Sequence, residues 1–224
     1  MGQATPFNYE AKEYGNIQNA LDYFLKFEIA KDKRILDIGT NLGSLPFELH
    51  ARGYKSVFGI DIREEAILHG RQRYVAIGDR LSFYDGKTIP FDDESFDVIT
   101  MFDVIEHVPQ IAEFLLEANR VLKVGGRFIF QTPNIYINSV WSTIVWRSFE
   151  WQREHCSLQS LRSLRKLLSQ AGFSQITIDK QSINTEFNRT AVSNQLGSIG
   201  VYLLKLSDNL PLGLYPNFYG SAVK

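Results

Sequence analysis

The stretch that most restricts what this chain can fold into is KRILDIGTNLGSLPFEL, from Lys33 to Leu49. Arg34 to Ile38 is a short apolar run carrying one acid, too brief to complete a helical period, and reads as a buried strand. Gly39 and Gly43 then bracket the tripeptide Thr40-Asn41-Leu42. Beyond them Leu45, Phe47 and Leu49 open a segment mixed enough to be a helix packed on a sheet. A strand that turns sharply into a helix N-terminus presents free backbone N–H groups and lets a ligand approach the main chain. An α/β chain with a ligand site at this turn is the expectation.

Three kinds of ligand compete for the turn. A phosphate loop needs GxxxxGK[ST]; Gly86-Lys87-Thr88 has the tail of that pattern, but Leu81 stands where its first glycine belongs. A dinucleotide fingerprint needs G-x-G-x-x-G, and Asn41 and Ser44 occupy its second and third glycine positions. The third reading turns on Asp37, two residues before Gly39. A carboxylate there repels a pyrophosphate and suits a ligand carrying an ammonium group. Asp37, Gly39 and Gly43 resemble motif I of the class I S-adenosyl-L-methionine (SAM)-dependent methyltransferases, with Asn41 in place of the central glycine. Asparagine tolerates a positive φ better than any other non-glycine residue.

The 224 residues suit one α/β domain spanning 1–224. A net charge of −1 with no basic block argues against a nucleic-acid partner. The single cysteine, Cys156, cannot form an internal disulfide. With no signal pattern and no run long enough to span a bilayer, a cytoplasmic location is expected.

Ile17, Ala20, Leu21, Phe24 and Leu25 fall at helical spacing, so 1–30 reads as an N-terminal cover helix. The resemblance implies that such a helix lies over the cofactor, with Tyr14 able to touch it. Lys55 to Asp61 reads as a second strand, and Asp61 stands 22 residues beyond Gly39, suiting a carboxylate that takes a ribose diol. Ile62 follows it into the site. Leu81 to Tyr84 is a third strand ending at Asp85-Gly86. The resemblance puts Asp85 and Gly86 at the adenine, and an ordinary Asp-Gly turn is the alternative.

Ile89 to Val108 resembles the family's approach to its fourth strand, which Asp97 begins, with Met101, Phe102 and Asp103 rimming the site. The [DNS]-P-P-[YFW] signature of DNA-base and glutamine amino-methylating enzymes is absent from this strand end. Pro109 suits the first turn of the next helix, Gly125-Gly126 its stop, and Arg127 to Pro133 a fifth strand. Ser157 is read as the cap of an amphipathic helix ending at Gly172, followed by a sixth strand from Phe173 to Asp179. A second insertion, 180–213, holds an apolar helix near Ile199 to Leu206, and Asn217 to Val223 closes the chain as a strand. The resemblance implies a Rossmann-like, seven-stranded, mostly parallel sheet with helices on both faces and the last strand antiparallel beside the sixth.

SAM brings an activated methyl group, so the protein must align the reactants, exclude water and accept a proton. His107 and His155 are the histidines near the binding edge and are the candidate bases. No histidine has a ligand partner at metal-binding spacing, so no metal is expected. Residues 134–157 gather Trp141, Trp146, Trp151 and Tyr136 without a matching sheet element, and read as an aromatic lid over the acceptor. A small or lipid-linked, partly apolar acceptor, with O-methylation favoured, is the resulting expectation. The alternatives are a non-catalytic module on the same fold, which Asn41 would support, and an NAD-dependent oxidoreductase.

Overall fold

A computed structural model of the chain describes residues 9–137, 155–182 and 186–224. Seven strands form one sheet: β1 (Arg34–Ile38), β2 (Ser56–Asp61), β3 (Leu81–Phe83), β4 (Phe96–Phe102), β5 (Leu122–Pro133), β6 (Ser174–Asp179) and β7 (Asn217–Val223), in the order β3-β2-β1-β4-β5-β7-β6. β1 to β5 pair in parallel, and β7 runs antiparallel to both β5 and β6. The expected Rossmann-like sheet is therefore the observed one, with the last strand inserted beside the sixth.

The helices are α1 (Tyr9–Leu25), α2 (Ser44–Ala51), α3 (Glu64–Arg73), α4 (Ile111–Val121), α5 (Leu161–Gln170) and α6 (Glu186–Ser207). Covering both faces explains why the central strands read as unbroken apolar runs. On one face Leu36, Ile38, Ile99, Met101 and Phe128 pack with Phe114 and Leu115 of α4 and with Leu164 and Leu168 of α5. On the other, Ile35, Val57, Val98 and Ile129 meet Tyr23 and Phe24 of α1 and Leu45 and Leu49 of α2. Among the described residues no helix is long and apolar enough to cross a membrane.

Several boundaries differ from the sequence expectation. Pro109 is not in the first turn of α4: Gln110 is the N-cap, and Val108 is extended (φ −92°, ψ 110°), as a residue before proline prefers. Gly125-Gly126 does not stop a helix. Leu122 is already extended and pairs with Phe96, and the glycines lie inside β5, where the pairing shifts register before Arg127 meets Val98. Ser157 is not the cap of α5. That cap is Ser160, whose Oγ accepts the Ser163 N–H at 3.1 Å while the Ser163 hydroxyl takes the Ser160 N–H at 2.9 Å, a reciprocal capping box. The helix in the second insertion runs well beyond 199–206 and kinks at Gly197 (φ 60°, ψ −150°).

Candidate cofactor and methyl-transfer site

In the order β3-β2-β1-β4, the chain winds one way from β1 to β3 and returns across β1 to β4. Open α/β sheets bind ligands in the crevice at such a switch point, beyond the strands' carboxyl ends. The first loop there is set by three residues with positive φ: Gly39 at 74°, Asn41 at 54° and Gly43 at 86°. Asn41 thus holds the left-handed conformation that its replacement of glycine demands. The Gly39 and Thr40 N–H groups donate to the Ile60 carbonyl at 2.8 and 3.0 Å, which ties the loop to β2.

Gly39 is constrained twice. Besides its φ, a Cβ added there would lie 2.2 Å from Cγ2 of Val104. Gly39→Ala is expected to cost roughly 1–3 kcal/mol in backbone strain alone, before the clash is relieved. Asn41→Gly is expected to change stability by less than about 1 kcal/mol, since glycine accepts the same φ. Thermal melts and SAM titration of the two variants check the contrast.

Asp61, at the end of β2, is buried and built into the same loop. Its Oδ2 accepts the Asn41 N–H at 2.8 Å and its Oδ1 the Arg63 N–H at 2.9 Å, with the Arg63 guanidinium 3.4 Å from Oδ1. A carboxylate offers about four lone-pair positions; Oδ1 already takes both Arg63 donors, so one position remains on Oδ2 for a ribose hydroxyl, and the 3.4 Å guanidinium contact would have to yield for a second. Asp61 does not cap α3, since Arg63 is the N-cap residue. Ile62 is 60% exposed, a large apolar side chain at the edge of the crevice. A Cβ on Gly86 would lie 3.1 Å from it, so the β2 and β3 ends meet here. Asp85 forms the turn that sequence reasoning kept as the alternative to adenine contact. Its Oδ1 accepts the Lys87 and Thr88 N–H groups at 2.8 and 3.0 Å, which hold its carboxyl below the usual range.

Asp37 is buried beside Thr100 of β4, whose hydroxyl donates to it at 2.6 Å. Burial pushes its carboxyl up to about 7, against the opposing pull of that hydrogen bond. At the end of β4, Phe102 packs in the cluster with Tyr23 and Tyr219. Asp103 takes a positive φ of 53°, and its N–H donates to Oε1 of Gln131 at 2.9 Å. Tyr14 lies on α1, and its side chain is outside the described residues.

The fold joins two segments far apart in sequence at the proposed transfer edge. The Ser157 N–H donates to the Glu106 carbonyl at 2.9 Å, which draws His155 to His107 with ring centroids 4.9 Å apart. Glu106, next to His107 in the chain, is buried. Its Oε2 accepts the Thr132 hydroxyl at 3.1 Å and its Oε1 lies 4.0 Å from Nε2 of His107. Burial, and then the charge of Asp103, raise its carboxyl well above the ordinary range. Trp141, Trp146 and Trp151 lie outside the described residues. Tyr136 is 66% exposed, and its N–H donates to Oδ1 of the buried Asn134 at 3.1 Å. The Asn134 amide in turn donates to the Gly213 and Tyr215 carbonyls, each at 2.9 Å, linking the segment after β5 to the one before β7.

Sequence reasoning did not single out Thr100, Gln131, Thr132 or Glu106, which the fold brings against the candidate site residues. Each acts on a partner at least 26 residues away or across strands. Only Glu106 carried a signal, as an acid beside His107 in a stretch otherwise read as strand end.

Residues 9–178 match the family described as Methyltransferase domain. The chain belongs to that family. The family is that of a methyltransferase domain, and the sheet has the fold of a SAM-dependent methyltransferase of known structure. The methyltransferase is 36% identical over 126 residues to a ubiquinone/menaquinone biosynthesis C-methyltransferase of Geotalea daltonii, covering 50% of this chain and 52% of that protein. It is 33% identical over 118 residues to a ubiquinone biosynthesis O-methyltransferase of Hahella chejuensis, covering 51% and 49%. The methyltransferase thus spans about half the length of these curated relatives. A solved SAM-dependent methyltransferase from Mesorhizobium loti superposes with a TM-score of 0.68 at 17% identity, covering 93% of this chain and all (100%) of that one, a likeness of fold.

Proposed function

We propose that this methyltransferase transfers the SAM methyl group to a hydroxyl of a small or lipid-linked, partly apolar acceptor. The observation that carries the reading is the Glu106–His107–His155 cluster beside Asp103, a proton-accepting group next to the expected methyl position. An oxygen nucleophile must lose its proton as the new bond forms, whereas the sulfonium needs no activation. The relatives named for ubiquinone biosynthesis favour a ring-bearing acceptor with an apolar substituent. Residues 134–157 and 180–213 are proposed to cover that acceptor, with Tyr136 and the three tryptophans as its apolar contacts.

Methyl-labelled SAM incubated with hydroquinones of increasing side-chain length tests the acceptor class. Transfer to oxygen is the expected product, and transfer to ring carbon alone would replace the O-methylation reading. His107→Ala and His155→Ala are each expected to lower turnover by about 10²–10⁴ while SAM affinity stays within about twofold. Among Trp141→Ala, Trp146→Ala and Trp151→Ala, at least one is expected to keep SAM binding and lose acceptor turnover. Titration with SAM against NAD separates this reading from an oxidoreductase, and SAM binding without transfer to any acceptor would favour a non-catalytic module.

A further inference from the structure

We propose that the rim of the sheet opposite the cofactor crevice holds a second site, which takes a small monocarboxylate with an apolar body. A cavity of about 350 Å³ opens there, at the amino ends of β1, β4 and β5. The course of β5 makes the room. Between the Phe96–Leu122 and Val98–Arg127 pairs, Lys123 to Gly126 stand opposite Asp97 alone, so this part of β5 leaves the ladder. Lys33, Lys123 and Arg127 line the cavity against two acids, Glu28 and Asp97, which leaves one positive charge in surplus. A single carboxylate balances that surplus, whereas a phosphate dianion would exceed it.

The cations keep donors to spare. Nζ of Lys33 lies 3.4 Å from Oδ1 of Asp97 and Nζ of Lys123 lies 3.0 Å from Oδ2. An ammonium carries more N–H donors than that one contact uses. Oδ2 of Asp97 also accepts the Arg34 N–H at 2.9 Å, which ties the start of β4 to the start of β1 and fixes the cavity floor before a ligand arrives. Burial works against the charge of Asp97, yet the Arg34 N–H and the Lys123 ammonium hold its carboxyl below the usual range. The Arg127 guanidinium sits 4.9 Å over the Phe27 ring and donates one N–H to Oγ of Ser221 at 3.2 Å. Its remaining donors form a planar fork, the geometry that matches a carboxylate. Phe27, Ile29 and Val98 add apolar wall for the body of the ligand, and the volume suits a small molecule.

The site stands apart from the methyl-transfer reading and is tested without turnover. The untagged full chain, saturated with SAM so that the crevice is filled, is titrated with benzoate. Calorimetry follows the binding, and backbone amide shifts of isotope-labelled protein locate it. One equivalent is expected to bind saturably and to move the Gly125 and Gly126 signals while those of Gly39 and Gly43 stay in place. Benzyl alcohol, which lacks the charge, and acetate and inorganic phosphate, which lack the apolar body, are expected to bind at least about tenfold more weakly. Arg127→Gln and Lys123→Gln are each expected to weaken benzoate by at least about tenfold, and Lys166→Gln on α5 to leave it unchanged. SAM affinity, measured in every variant, is expected to stay at the wild-type value and reports folding separately. A wild-type protein that shows no saturable benzoate binding overturns the site. So do amide shifts confined to the crevice, binding that survives both Arg127→Gln and Lys123→Gln, or phosphate or benzyl alcohol held as tightly as benzoate.

Discussion

Asp61→Ala is expected to weaken SAM binding by roughly 1.5–3 kcal/mol, one to two orders of magnitude in Kd, through loss of the charge-assisted bonds to the ribose. The substitution also removes the acceptor of the Asn41 and Arg63 N–H groups, so the loop loses two ties at once. A second variant separates the two effects. Asp61→Asn removes the charge and keeps one of the two acceptor oxygens, and with it one of the two loop ties, so it is expected to lose less melting temperature than Asp61→Ala while still losing SAM affinity. Calorimetric titration of both variants is the measurement. Wild-type affinity in both would mean that the ribose is held elsewhere and that the acid serves only the loop.

The second large effect is a pH dependence centred on Asp37. Burial holds its carboxyl up to about 7, so in the free protein the neutral form persists far above the pH at which an unfolded aspartate ionises. The native state therefore binds more protons than the unfolded chain between about 4 and 7. This contribution to stability is fully present in acid and is lost as pH rises through 7. Under the proposed placement of the SAM ammonium group against Asp37, directly or through water, cofactor binding would reverse the preference and favour the ionised form. Below pH 7 binding should release a proton, and affinity should rise by up to about tenfold per pH unit until the carboxyl is ionised. An α-amino group loses its own proton near 7.7–8.0, so affinity should peak between the two values. Asp37→Asn should abolish the acid limb and leave the alkaline one. Titrations in buffers of different ionisation enthalpy count the proton directly; equal heats in all of them at pH 6 would remove Asp37 from the ammonium site.

The parts of the site legible in the sequence are those whose geometry is local. Gly39, Asn41 and Gly43 announce a left-handed turn because glycine and asparagine are the residues that adopt it, and all three have positive φ. Asp37 and Asp61 stand out because they are the next-to-last and the last residue of short buried strands, where an acid has no packing role. Thr100 and Gln131 were silent because they lie in apolar runs and act across the sheet on a neighbouring strand. His155 illustrates the same limit: only the tertiary pairing of Ser157 with Glu106 brings it to His107. Boundaries were misread where two residues could do the same work. Ser157 and Ser160 are both competent caps, and the choice fell to the one with Ser163 three residues on. Gly125-Gly126 signals a bend equally well in a loop or in a strand that changes register.

The antiparallel course of β7 gives the molecule a polarity of practical use. Asn217 pairs with Pro133 at the rim that holds the crevice, whereas Val223 pairs with Arg127 at the other rim. The Lys224 N–H and carbonyl then bridge to Gly126 and Gly125. A tag or tether joined after Lys224 would leave from the side of the sheet opposite the cofactor mouth. Protein anchored to a sensor chip through that point would present its mouth to the flowing solution.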